Sequence, residues 1–194
     1  MSRVLVPKGA VDLAIKQSGK FIKPKVEPSL LKNFKTIREN MLSEFDKHQV
    51  TQELEAKTSA DPSAFVSRGS LFGFIGFEKN DNPTDVVREM LKKSELKFIR
   101  INGGIVDFKI FYPSKEELFA ATPLPWASGR SWLKGIESGI SGLGRYINID
   151  YSDYSRSGGG IQSEYKVRSA RFKSTQYISK ILNNFIKKIN ELSL

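Results

Sequence analysis

The chain carries one histidine, His48, and no cysteine. Disulfides and thiolate metal sites are therefore excluded, and a transition-metal site would have to be built from carboxylates. Two carboxylate pairs, Asp150 with Asp153 and Glu116 with Glu117, have the residue types that acid–base catalysis or metal binding uses. The first pair falls in a polar loop and the second at the start of a capped helix, and neither has a nucleophile or partner motif beside it. His48 follows a helix end, a structural position. The stretch GISGLG at 139–144 spells Gly-x-x-Gly-x-Gly without the strand–turn–helix setting of a dinucleotide site. SRSGGGIQ at 155–162 has no Lys-Ser/Thr pair after its glycines and is no Walker loop. These residues predict no catalytic site, no metal and no cofactor, so the chain is expected not to be an enzyme.

Cationic chemistry has more behind it. YSDYSRSGGG interleaves tyrosines with Arg156, and KVRSARFK places Lys166, Arg168, Arg171 and Lys173 around Phe172. Such a surface can hold phosphates and stack bases, although Asp150 and Asp153 oppose phosphate nearby. The net charge of +10 is unevenly spread. Residues 1–50 hold ten Lys/Arg against five Asp/Glu and residues 151–194 eight against three, while the intervening hundred residues balance. Charge at the two ends, rather than on one recognition element, suits docking on acidic neighbours or loose contact with nucleic acid. A basic nucleic-acid-binding protein stays open as the alternative to an assembly protein.

The elements that must position these residues read as α+β. Pro7, Gly9, Gly19, Pro24 and Pro28 predict an extended basic arm over residues 1–28, followed by a single α+β domain over 29–194. Ser29 is a good N-cap, and Leu30, Phe34, Ile37, Met41, Leu42 and Phe45 give one apolar face, predicting a helix from about Leu30 to Lys47. LFGFIGF at 71–77 alternates large residues with glycine and reads as a strand. Thr84 is placed to cap a short helix carrying Val87 and Leu91. LKFIRINGGIVDFKIFYP predicts a hairpin, with Val106, Phe108, Ile110 and Tyr112 on one face. Ser114 with Glu117 is a capping box opening a short helix. Residues 149–162 read as a protruding loop, and IQSEYKVRSARF as a returning strand. Tyr177, Ile178, Ile181, Leu182, Phe185, Ile186 and Ile189 predict a closing helix. The expected architecture is an N-terminal and a C-terminal helix packed on a small antiparallel sheet. Neither a signal h-region nor a run of about 20 apolar residues is present at the start, so no membrane association is expected.

Long polar loops and an arm around a modest core suit an assembly, where neighbours offset the entropy of ordering them. Several stretches carry a resemblance in the same direction: MLSEFDKHQVTQEL with LFGFIGFEKNDNP, and PWASGRSWLKGIESGISGLGRY followed by SGGGIQSEYKVRSARFKSTQYISKILNNF. Over roughly residues 30–190 the chain resembles the neck or tail-completion proteins of the head–tail connector in tailed bacteriophages. The resemblance implies an oligomeric ring in the virion, assembled in the host cytoplasm and lying between portal or adaptor and tail proteins, with loose contact to packaged DNA. The residues expected at protein interfaces are then Phe72, Phe74 and Phe77, Trp126 and Trp132, and Tyr151, Tyr154 and Arg156. Aromatics and arginine are the usual anchors of such contacts.

Overall fold

A computed structural model describes residues 8–60, 63–66, 69–102, 105–125, 127–138 and 175–191, with side chains from Gln17 onward. The chain is mixed helix and sheet, as the sequence predicts. Helix α1 runs from Lys8 to Lys47, 40 residues, or about 60 Å at 1.5 Å per residue. α2 covers Gln49–Ala56, α3 Leu71–Ile75 and α4 Pro83–Lys92. The hairpin of β1 (Glu95–Asn102) and β2 (Ile105–Phe111) follows, then α5 (Lys115–Ala120). A short ladder of β3 (Pro123–Leu124) with β4 (Ala127–Ser131) leads into α6 (Trp132–Ser138), and α7 spans Ile178–Asn190.

The extended arm over residues 1–28 is corrected from Lys8 onward: residues 8–28 are helical and continuous with the predicted helix. Pro24 and Pro28 lack the N–H groups that would bond the carbonyls of Lys20 and Pro24, a cost of roughly 3 kcal/mol each in a helix interior. Both prolines are exposed, so water reaches the freed carbonyls. The surface that orders this half of the helix is the hairpin, where the Lys23 ammonium lies 3.7 Å from the centre of the Phe98 ring.

The other half of α1 builds the core. Phe34, Ile37, Met41 and Phe45 are buried at the spacing of one helical face. They meet Ile178, Ile181, Leu182 and Phe185 of α7 in one apolar cluster with α2, α4 and α6. Phe34 meets Phe185 edge-on with ring centres 6.2 Å apart, and Phe45 stacks on Tyr177 at 5.8 Å. α7 therefore lies along α1 rather than across the sheet, touching the strand end where the Tyr112 ring meets Phe185 at 5.7 Å.

The strand expected at 71–77 is the short helix α3. The Ser70 hydroxyl accepts the Gly73 N–H at 3.2 Å, and Gly76, with φ of +92°, ends the turn in a conformation that favours glycine. Helical spacing buries Leu71, Phe72 and Ile75 together, which alternation would have split between two faces. Thr84 lies inside α4 rather than capping it; Asn82 is the cap position, and the Thr84 hydroxyl donates to Glu55 at 3.2 Å.

The hairpin forms as predicted, antiparallel, with Leu96 opposite Ile110 and Phe98 opposite Phe108. A bulge between Phe98 and Arg100 then sets Arg100 opposite Asp107 and Ile101 opposite Val106. The extra residue returns Ile101 to the face of Leu96 and Phe98, which strict alternation would have denied it. Gly103 and Gly104 of the expected turn lie outside the described residues. The capping box at α5 is complete: Ser114 Oγ accepts the Glu117 N–H at 3.2 Å, and Glu117 accepts the Ser114 N–H at 2.7 Å.

Candidate interaction surfaces

His48 is the N-cap of α2. Its Nδ1 accepts the Val50 N–H at 3.2 Å, and its ring sits 4.6 Å from that of Tyr177. Burial lowers its pKa, Lys180 lowers it further, and Glu44 acts in the opposite sense. The Tyr177 hydroxyl is held 2.5 Å from the Thr51 hydroxyl, and burial pushes its pKa far up. The Nδ1 bond caps α2, and the Thr51–Tyr177 contact ties α2 to the residue before α7. Glu116 and Glu117 lie exposed in the first turn of α5, where the bonds from Ser114 lower the Glu117 pKa. Asp150, Asp153, the glycine run 139–144 and the segment 155–162 lie outside the described residues. Among the described residues, no three His, Cys, Asp or Glu side chains gather to hold a metal, and no helix is long and apolar enough to cross a membrane.

Three charged side chains hold elements together, and the linear sequence marks none of them. Arg88 on α4 bonds Asp46 of α1 at 2.9 Å, Asp85 at 3.0 Å and Glu55 of α2, while its guanidinium faces the Phe45 ring at 5.6 Å. Burial opposes its charge, but the bonds to Glu55 and Asp46 outweigh burial and raise its pKa. Glu53 accepts the Ser63 hydroxyl at 2.5 Å and the Ala64 N–H at 2.8 Å, closing the turn after α2. Glu137 of α6 accepts the Ser179 N–H at 2.6 Å and its hydroxyl at 2.5 Å, supplying the carboxylate that the α7 N-terminus lacks locally.

The aromatics expected at interfaces divide. Phe72 and Trp132 are 1% and 2% exposed and belong to the core. They are corrected from interface anchors to packing residues: α3 turns Phe72 inward, and Trp132 opens α6 beneath β4. Phe74 and Phe77 are half-buried against the same core. Phe77 meets Trp132 edge-on at 5.9 Å, and the two share the wall of an open cleft of about 490 Å³ with Pro83, Val86, Pro123 and Pro125. Trp126, Tyr151, Tyr154 and Arg156 lie outside the described residues, as do Lys166, Arg168, Arg171 and Lys173.

Apart from Val86 in that cleft, the exposed apolar groups lie elsewhere. Phe21 is 70% and Ile22 42% exposed, on the amino-terminal half of α1. Ile99, Ile105 and Phe111 are exposed on the hairpin, on the side away from Phe98 and α1. The α1 pair has a sequence signal once the helix is continued backward. At about 100° per residue, positions thirteen and twelve before Phe34 both lie more than 100° from its direction. The chain matches no protein-family model, no curated protein and no solved structure.

Proposed function

We propose that this chain is a non-catalytic assembly protein whose α1 docks its exposed amino-terminal half on neighbouring subunits. The observation that carries this reading is Phe21, a large ring 70% exposed beside Ile22, on a helix that two prolines disfavour locally. Burying that pair against a neighbour would remove apolar surface from water at about 25 cal/mol per Å² and stabilise the helix as well. Two neighbouring large apolar side chains on an exposed stretch of helix give a neighbour an anchor point. The resemblance in sequence supports a setting at the head–tail joint of a tailed-phage virion. There, copies would form a ring against portal, adaptor or tail proteins, after assembly in the host cytoplasm.

Light scattering with negative-stain microscopy, on the chain alone and after mixing with portal, adaptor and tail proteins of the same virion, tests the proposal. Rings, or incorporation at the joint, are expected. A monomer that ignores all of these partners would overturn it.

A further inference from the structure

We propose that the outer face of the β1–β2 hairpin binds single-stranded nucleic acid, with a base on Phe111 and phosphates on Lys97 and Lys109. Lys97 and Lys109 are directly opposite each other across the two strands. Like charges in that position repel across a ribbon, and Glu95 offsets only the charge of Lys97. Both ammonium groups lie 5.3 Å from the centre of the Phe111 ring, which is 40% exposed and stands one rung further along the same face. Exposed aromatic faces flanked by cations are what single strands use: the base stacks, the phosphates are neutralised, and the like-charge cost is relieved.

The carboxylates on this face are already engaged. Glu95 pairs with Lys97 at 2.5 Å and Asp107 with Arg100 at 3.0 Å, so a phosphate would share Lys97 with Glu95, while Lys109 makes no ion pair among the described residues. The chain's net charge of +10 favours a polyanion at long range. A duplex would satisfy the lysines but hide its base faces, so stacking on Phe111 selects a single strand. α1 covers the opposite face of the hairpin, where Lys23 meets Phe98, so this surface is separate from Phe21 and Ile22 and stands or falls independently of the assembly reading.

The test is a fluorescence-anisotropy titration of a labelled oligothymidylate of about twenty nucleotides against the full chain, at about 50 and about 200 mM salt. Two neutralised phosphates contribute a slope of about −1.4, or about sevenfold in affinity over that range. The Lys97→Gln/Lys109→Gln variant should flatten the salt dependence by that amount. It removes a repulsion together with the exposed Glu95 ion pair and the lysine contacts to Phe111, terms of similar size, so its melting temperature should stay close to wild type. Phe111→Ala should weaken binding about tenfold at both salts, with the fold checked by circular dichroism. A variant with Lys166, Arg168, Arg171 and Lys173 changed to Gln should keep the contribution of the hairpin. Three outcomes would overturn the proposal: no binding at low salt, binding lost only with the 166–173 variant, or equal competition by duplex DNA or by polyglutamate.

Discussion

From Phe34 to Phe45, α1 gives every third or fourth residue to a core shared with α7; from Gln17 to Glu27 it turns Phe21 and Ile22 to solvent and covers one face of a two-stranded hairpin. Both halves are the same helix, but different terms hold them. In the first, burial of large side chains dominates, and the helix would form there whatever its propensity. In the second, Pro24 and the Pro28 that follows it work against the helix, and contact with Phe98 and its neighbours must outweigh them. A secondary-structure element can thus be continuous in geometry and divided in energetics.

The largest effect that separates the halves is expected in the core. Phe45→Ala removes a fully buried ring stacked on Tyr177 and facing Arg88, and should cost about 3–5 kcal/mol in denaturant unfolding. A loss below about 1 kcal/mol would mean that α1 is not the spine of the core. Next come the prolines. Pro24→Ala with Pro28→Ala should raise amide-exchange protection over residues 17–28 by up to about 3 kcal/mol per proline, and leave protection near Phe45 unchanged. Equal gains in both regions would show that the halves open together.

A smaller effect belongs to His48. Its native pKa is lowered from 6.5, so the unfolded chain binds the proton more readily. The stability this contributes is complete above pH 6.5 and is lost as pH falls through the lower native value. Protonation at Nδ1 also removes the acceptor that caps α2, a bond of the kind worth about 0.5–2 kcal/mol. Melting temperature should therefore decline from about pH 7.5 to about pH 5, and His48→Asn, which keeps a capping oxygen, should flatten that decline. An unchanged slope in the variant would place the pH dependence elsewhere.

Sequence reading succeeded where one short window holds both partners. The Ser114–Glu117 box is local, and so is the hairpin. Its bulge was not read: Leu96, Phe98 and Ile101 share a face only because one residue between 98 and 101 is extra, and the register that shows this comes from the partner strand. Reading failed where the deciding partner is distant in sequence. Pro24 and Pro28 signal a break, and the hairpin surface that overrides them begins some seventy residues later. LFGFIGF is too short for periodicity to separate strand from helix, and the Ser70 cap with Gly76 beyond it decided the matter. The misreading carried Phe72 to an interface when its helical phase puts it in the core. Arg88 and Glu137 were silent because a charged residue on a helix says nothing of which other element it will meet.

The most direct measurement is the solution mass of the chain, by light scattering across a concentration series, for wild type and for Phe21→Gln/Ile22→Gln. Both positions are exposed, so the variant should melt close to wild type, within about 0.5 kcal/mol per site. The account predicts that wild type, alone or mixed with portal, adaptor and tail proteins, assembles beyond a monomer and that the variant stays monomeric. An oligomer of the same size in both would contradict it and move the interface away from α1.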